Sequence, residues 1–161
     1  MSVGTGHHQT TCLMLKAQLD IDHQNKRVMD AGCGTAILSI MASRRGAKAV
    51  EAFDIDEWSV INGNENIQNN GCTNIRIQQG KISELKFDRS FDIILANINR
   101  NVLLDEMKIY SSYLARNGLL LLSGFYEYDV DDLNYVAEKY SLIEIKRDGR
   151  ETWAALLLKK I

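Results

Sequence analysis

A glycine-containing turn at residues 28–36 is the segment of this sequence best suited to binding a ligand. It reads VMDAGCGTA and passes from an apolar strand, through Gly32 and Gly34, into a helix predicted to begin near Ile37. Glycine lets the backbone turn sharply and lets a ligand approach the main chain, while the first amides of the next helix attract anionic groups. A dinucleotide site needs a third glycine where Ile37 stands, so nicotinamide cofactors are disfavoured.

The spacing of this turn resembles the D-x-G-x-G-x-G signature of S-adenosylmethionine-dependent enzymes. Asp30 stands two residues before Gly32, Gly34 follows, and Ala36 replaces the last glycine of the signature. A methyl group at Ala36 would tighten the contact between helix and strand without blocking the turn. We predict that Asp30, Gly32 and Gly34 belong to an S-adenosylmethionine site, the alternative being a glycine-rich turn with a purely structural role.

Two acidic residues follow the next predicted strand. Asp54 lies about twenty residues after Gly34, at a strand end where an acid can accept hydrogen bonds from both hydroxyls of a ribose. Asp56 is better suited to capping the helix predicted to begin at Glu57, because an aspartate there accepts a bond from a free backbone amide. We assign Asp54 to the cofactor and Asp56 to the helix.

The end of the third predicted strand would supply the adenine site. Many enzymes of this kind carry an acidic residue here, near the adenine amino group, whereas this sequence has Lys81. Adenine would then be held by main-chain groups and apolar side chains around Lys81 and Ile82. Both are predicted cofactor-binding residues.

Asn97 ends an apolar strand at the edge where open α/β sheets bind ligands. Amino-methylating enzymes follow an asparagine at this place with prolines and an aromatic residue, but here Ile98, Asn99 and Arg100 follow. The missing aromatic residue argues against a flipped nucleobase, which needs a stacking surface. We predict that Asn97 is the catalytic residue and orients the amine or the amino-acid end of the cofactor by hydrogen bonds; the alternative is an ordinary turn-forming asparagine.

Residues 4–11, GTGHHQTT, make the resemblance specific. This segment is followed in order by the glycine turn, the acidic turn at residues 53–56 and Asn97. Together the four motifs resemble the catalytic domain of the bacterial ribosomal protein L11 methyltransferase family, and the resemblance covers nearly the whole chain. This resemblance implies methyl transfer from S-adenosylmethionine to the α-amine and lysine ε-amines of a large-subunit ribosomal protein. It also implies cofactor contacts at Thr11, Gly32, Asp54 and Asn97.

Metal and disulfide chemistry are not indicated by the sequence. His7 and His8 are adjacent and therefore point in different directions, and no cluster of cysteine or acidic residues accompanies them. The three cysteines are odd in number and widely spaced, so we expect three free thiols and no metal site.

Size and composition fit one domain that covers residues 1–161. No apolar run approaches the roughly 18 residues that span a membrane, and no secretory leader is visible, so we expect a cytoplasmic protein. The formal charge of −2 disfavours direct binding of nucleic acid. The family's N-terminal substrate-recognition domain is expected to be absent, and such a fragment is expected to bind cofactor but to methylate its ribosomal substrate poorly.

The apolar pattern predicts an α/β protein. Short apolar runs alternate with stretches of helical spacing, which is typical of repeated β-α units and a mostly parallel sheet. The predicted strands are 27–30, 49–53, 74–78, 91–96, 119–122, 142–145 and 153–158. The predicted helices are 10–19, 37–45, 57–69, 102–114 and 130–140. In the fourth helix, one apolar stripe is expected to pack in the core: Leu103, Met107, Tyr110 and Leu114.

Residues 146–150 join the last two predicted strands and are too few for a crossover helix, so these strands should form an antiparallel hairpin. The resemblance implies the class I methyltransferase fold, a Rossmann-like three-layer sandwich whose seven-stranded, mostly parallel sheet ends in such a hairpin. Two other functions stay open. One is an RNA or small-molecule methyltransferase on the same scaffold; the other, suggested by Ala36 and Lys81, is a non-catalytic cofactor-binding domain.

Overall fold

The computed structural model describes residues 6–161, in which seven strands form one sheet with helices on both faces. The strands are β1 Arg27–Ala31, β2 Ala49–Asp54, β3 Ile75–Gln79, β4 Phe91–Asn97, β5 Leu114–Tyr126, β6 Leu142–Arg150 and β7 Trp153–Lys160. The helices are α1 His7–Gln18, α2 Ile37–Arg44, α3 Glu57–Asn69, α4 Arg100–Tyr113 and α5 Val130–Lys139, with a 3-10 turn at Glu127–Asp129 before α5. No helix within residues 6–161 is long and apolar enough to cross a membrane.

The strand order is β3-β2-β1-β4-β5-β7-β6, and this order confirms the predicted α/β sandwich. Strands β1 to β5 run parallel to their neighbours, while β7 lies antiparallel between β5 and β6. The chain leaves β1 in one direction, towards β2 and β3, and later returns to the other side of β1 as β4. In open α/β sheets ligands bind where the order reverses in this way, beyond the carboxyl ends of the strands. Gly32 after β1 and Asn97 at the end of β4 meet at that point.

The predicted turn of the last hairpin is wrong. Residues 146–150 continue β6, with Lys146 paired to Leu157 and Arg150 paired to Trp153, and the turn is formed by Glu151 and Thr152. Strand β6 lies at the edge of the sheet and is mostly exposed. Its second half can therefore consist of polar residues, which pair through the backbone and do not show the apolar pattern of a buried strand. The hairpin itself is antiparallel, as predicted.

The hydrophobic core has one main layer on each face of the sheet. Helices α4 and α5 pack against one face, and α1 and α2 pack against the other. The predicted apolar stripe is confirmed as core, since all four of its residues are buried. Its last member, Leu114, begins β5 rather than ending the helix.

Candidate active site

A cavity of about 970 Å³ opens at the carboxyl edge of the sheet. Its volume lies within the range of about 300–1,000 Å³ that is usual for ligand sites. Five of the predicted site residues line it: Gly32, Asp54, Lys81, Ile82 and Asn97. Three lie outside its lining: Thr11, Asp30 and Gly34.

The turn after β1 has the backbone shape that its glycines allow. Gly32 and Gly34 have φ angles of +65° and +52°, in the left-handed region that favours glycine. A Cβ atom at Gly34 would meet no atom within 4 Å, so open space lies beside this residue. Ala36 keeps the left-handed conformation of the glycine that it replaces, with φ +67°, and its methyl group packs with Ile40 and Ile67. The departure at Ala36 therefore leaves the turn intact.

Asp54 is buried at the end of β2 and has a structural role that the sequence did not indicate. Its Oδ2 accepts a 2.9 Å hydrogen bond from the Gly34 amide, and its Oδ1 accepts one of 2.9 Å from the Asp56 amide. Each carboxylate oxygen keeps a further lone pair, and the residue lines the cavity. Asp54 can therefore shape the glycine turn and still accept hydrogen bonds from a ligand.

Asp56 caps α3, which confirms the prediction. Its Oδ1 accepts a 3.4 Å bond from the Trp58 amide, and its Oδ2 accepts a 3.0 Å bond from the Ser59 hydroxyl. The cap fixes the start of α3 at Glu57, where the sequence analysis expected it.

Asp30 lies behind the glycine turn rather than on the cavity wall. It is almost completely buried, and its Oδ2 accepts a 2.6 Å hydrogen bond from the Ser39 hydroxyl. Its Oδ1 has no hydrogen-bond partner within residues 6–161. Burial raises the pKa of this carboxyl to about 7, against the lowering effect of the Ser39 bond. Asp30 thus stabilises the loop from within and can lose its charge near neutral pH.

Thr11 lies half-buried on α1, and Gly4 and Thr5 of the same N-terminal segment lie outside the described residues. Gly6 links this segment to the cavity, because it lies so close to the Trp153 ring that any side chain at Gly6 would collide with the ring. Trp153 lines the cavity. The segment therefore touches the site through Gly6 and Trp153.

Asn97 lines the cavity, and the buried oxygen of its side chain has no hydrogen-bond partner within residues 6–161. Among the buried side-chain atoms that lack a partner in this part of the chain, only its Oδ1 belongs to a cavity-lining residue. A buried acceptor without a donor costs about 1–3 kcal/mol, which makes Asn97 the lining residue best suited to a ligand that donates a hydrogen bond. The end of β4 is fixed by a hydrogen bond that the Ile98 amide donates to the Ser123 carbonyl. Ile98 also packs closely against Gly124, where any Cβ atom would collide with the Ile98 carbonyl oxygen.

An aromatic wall borders the same cavity, and the sequence analysis missed it. The Tyr126 ring stacks on Trp153 at 4.1 Å and on Tyr128 at 5.1 Å between ring centroids. Tyr126 and Tyr128 come from the end of β5 and the 3-10 turn, whereas Trp153 lies far along the chain at the start of β7. The prediction against a flipped nucleobase rests on the absence of an aromatic residue directly after Asn97. That argument against a planar acceptor is wrong, because other strands supply the surface.

Charged residues brace the aromatic wall. Arg100 contacts Asp132 at 2.7 Å and Asp129 at 3.3 Å, and Asp129 accepts a 3.0 Å bond from the Tyr126 amide. Arg100 and Asp129 also line the cavity. The first turn of α4 is thereby tied to the segment that carries Tyr126.

The three thiols are free, as predicted. No group of three or more metal-ligating side chains is found in residues 6–161. Burial raises the pKa of the Cys33 thiol well above its ordinary value, so Cys33 next to the glycine turn is a poor nucleophile. The site therefore offers hydrogen-bond acceptors, apolar surface and aromatic rings.

The strand order and the glycine turn at its reversal point define a class I S-adenosylmethionine-dependent methyltransferase fold. The crystal structure of ribosomal protein L11 methylase from Lactobacillus delbrueckii subsp. bulgaricus matches with a TM-score of 0.90 and 30% identity, over 97% of this chain and 81% of that one. Magnesium protoporphyrin IX methyltransferase from Synechocystis, solved with bound S-adenosylmethionine, shares the fold with a TM-score of 0.77 and 17% identity, over 96% of this chain and 79% of that chain.

The family model described as "Ribosomal protein L11 methyltransferase (PrmA)" matches residues 1–161, and this chain belongs to that family. Ribosomal protein L11 methyltransferase of Bacteroides fragilis is 45% identical over 97% of this chain and 56% of its own length. The corresponding protein of Porphyromonas gingivalis is 47% identical over 97% of this chain and 54% of its own length. The chain thus spans about half the length of the curated relatives it matches.

Proposed function

We propose that this chain binds S-adenosylmethionine at the carboxyl edge of its sheet and methylates amino groups of ribosomal protein L11. The observation that carries the proposal is the unpaired Oδ1 of Asn97, a buried acceptor that belongs to a residue of the cavity lining. An amine that has lost a proton still carries N–H groups, and one of them can donate to this oxygen. The family and its named substrate favour the α-amine and lysine ε-amines as acceptors.

The residues of the cavity fit the cofactor. Open space beside Gly34 and the left-handed turn leave main-chain groups accessible to a ligand's amino-acid end. Asp54 has lone pairs for ribose hydroxyls, while main-chain groups near Lys81 and the buried Ile82 side chain suit adenine. When bound, S-adenosylmethionine supplies an electrophilic methyl group on its sulfonium. Thr11 and Asp30 lie outside the cavity lining, so they would support the cofactor-binding residues without touching the cofactor.

The protein's task is to present a neutral amine. A lysine amine in water is about 99.9% protonated at neutral pH, because its pKa is near 10.4. Next to Tyr126 and Trp153 an ammonium loses part of its hydration, which disfavours the charged form and favours release of its proton to water, against the attraction of the rings and of Asp129 for the cation. Asn97 Oδ1 then accepts an N–H bond and leaves the nitrogen lone pair free for attack. Asn97 acts by orientation and does not take the proton.

A planar acceptor, such as an RNA base, is the second candidate, and the Tyr126–Trp153 stack favours it. Against it stands the charge balance of the cavity lining, whose four carboxylates outnumber its two basic side chains, Lys81 and Arg100, and would repel a phosphate backbone. The same negative balance suits a lysine-bearing protein. We further propose that the enzyme works in the cytoplasm and makes no direct contact with nucleic acid.

Methyl transfer from labelled S-adenosylmethionine distinguishes these functions. The chain is incubated separately with purified L11, with ribosomal RNA and with small amines, and a full-length relative serves as reference. We expect label on L11 amines. Label on RNA alone would favour the second candidate. Cofactor binding without label on any acceptor would identify a non-catalytic domain.

A further inference from the structure

Methyltransferases of this type carry an acidic residue, a hydrogen-bond acceptor, at the position after β3 that lies near adenine. This chain has no acceptor side chain at that position. Lys81 occupies that position after β3, and an ammonium group only donates hydrogen bonds. The 6-amino group of adenine is also a donor, so Lys81 and this amino group cannot pair. An acceptor for the amino group has to come from another element.

We infer that Glu106 on α4 is this acceptor and makes the site selective for adenine; the inference rests on the proposed cofactor function. Glu106 is half-buried and lines the same cavity as Lys81 and Ile82. One carboxylate oxygen accepts a 2.5 Å bond from the Tyr110 hydroxyl. The second oxygen makes no hydrogen bond within residues 6–161 and remains available to a ligand.

Tyr110 holds the Glu106 side chain in place from within the core. Tyr110 is fully buried on the next turn of α4, so its ring cannot move without disturbing the packing. An acceptor anchored at one oxygen loses little further freedom when the other oxygen binds a ligand. The Tyr110–Glu106 pair is therefore preorganised towards the cavity.

Packing places Glu106 at the adenine end rather than at the acceptor end of the cavity. Ile82 belongs to the same core cluster as Tyr110, and the Phe87 amide beyond it is bonded to the Tyr113 hydroxyl, so the segment after β3 lies along α4. The Lys81 ammonium lies close enough to lower the pKa of Glu106, although burial is the larger effect and raises that pKa overall.

The aromatic wall stands at the other end of the sheet edge. It begins at β5 and β7, and β2, β1 and β4 lie between β3 and β5. Four strand spacings amount to about 19 Å. The Lys81 side of the cavity is therefore suited to the cofactor's base, and Glu106 lines the same cavity.

Calorimetric titration with S-adenosylhomocysteine and with its inosine counterpart tests this role without requiring turnover. The inosine compound carries an oxygen in place of the 6-amino group and a hydrogen on the neighbouring N1, so at position 6 the wild-type carboxylate meets an acceptor instead of a donor and should disfavour the compound. In Glu106→Gln the side chain can donate to that oxygen, and we expect the adenosine-over-inosine preference to fall about tenfold, the size of one hydrogen bond to a charged group. Tyr110→Phe should reduce the preference by a smaller factor, because the acceptor loses its anchor.

Asp105→Asn is the matched control, since Asp105 lines the cavity beside Glu106 and loses the same charge. This variant should keep the wild-type preference. An unchanged preference in Glu106→Gln, with the variant folded by circular dichroism, would overturn the inference and leave cofactor binding standing. If the wild-type chain binds neither compound, the proposed function fails as well, so the two failures are distinguishable.

Discussion

The Gly34 amide donates a 2.9 Å hydrogen bond to Asp54 Oδ2 and so ties the glycine turn after β1 to the end of β2. The other oxygen of Asp54 holds the Asp56 amide at the start of α3. One carboxylate therefore determines the shape of the turn as well as offering acceptors to a ribose. The two roles are separable by experiment.

Asp54→Ala should weaken cofactor binding and also destabilise the fold. We expect a loss of about 2–3 kcal/mol in binding from the missing charge-assisted bonds. Two partly buried amides also lose their acceptor, so the free energy of unfolding should fall by about 2 kcal/mol. Calorimetry and thermal unfolding measure these quantities separately. Asp56→Ala is the control, since it should cost about 1 kcal/mol of stability with little change in cofactor affinity; unchanged affinity in Asp54→Ala would remove Asp54 from the site.

Gly32→Ala should reduce cofactor affinity at least about tenfold, because a methyl group there would come within 3.1 Å of the Ile98 side chain and push this side chain of the cavity lining out of place. The left-handed φ at Gly32 should also cost this variant about 1–2 kcal/mol of stability. Ala36→Gly is the control: it exchanges alanine for glycine in the same turn, at a residue outside the cavity lining. It should leave affinity unchanged. Retained affinity in a folded Gly32→Ala variant would mean that the ligand does not approach Gly32.

The pH dependence of stability should carry the signature of Asp30. Its pKa is about 7 in the folded protein and near 3.9 in the unfolded chain, so the folded state binds more protons between these values. The contribution of Asp30 to the free energy of unfolding is then complete below about pH 4 and is lost as the pH rises to about 7. Urea unfolding across this range should show the decline in the wild type, and Asp30→Asn should lack it. Ser39→Ala removes the hydrogen bond that lowers the pKa of Asp30, so in this variant the free energy of unfolding should go on declining to higher pH. Equal slopes of stability against pH in the wild type and Asp30→Asn would contradict the assignment of the decline to Asp30.

The aromatic wall should act on the acceptor and not on the cofactor. Trp153→Ala and Tyr128→Ala remove stacking surface, and we expect each to raise the KM for the acceptor several-fold while the Kd for S-adenosylhomocysteine stays unchanged. Tyr135, an exposed tyrosine of α5 outside the cavity lining, provides the control Tyr135→Ala. Steady-state kinetics with L11 as the varied substrate gives the comparison. Equal acceptor KM values in Tyr128→Ala and Tyr135→Ala would exclude Tyr128 from the acceptor site.

The parts of the fold that sequence predicts well are those fixed by local chemistry. Helix α3 begins at Glu57 because Asp56 caps it, and both features are adjacent in sequence. The glycine turn follows a buried strand and is visible from spacing alone. The hairpin turn was misplaced because β6 is an edge strand, whose pairing depends on its neighbour β7 and not on an apolar pattern.

The parts of the site that sequence does not reveal are those built from distant segments. Trp153 and Tyr126 stack only because β5 and β7 are antiparallel neighbours. Glu106 shares a cavity with Lys81 because α4 lies along the segment after β3, where the Phe87 amide is bonded to the Tyr113 hydroxyl. A single sequence shows which residues are aromatic or acidic, but the register between strands and the packing of helices decide which of them share a cavity.

The rate of methyl transfer to L11 by the wild type and by Asn97→Ala, at saturating S-adenosylmethionine, tests the central claim most directly. If Asn97 Oδ1 orients the amine for attack, the variant should retain cofactor binding by calorimetry but lose about 100-fold in kcat, the usual effect of removing one positioned hydrogen-bond partner from an active site. Methylation of L11 by Asn97→Ala at the wild-type rate would contradict the account.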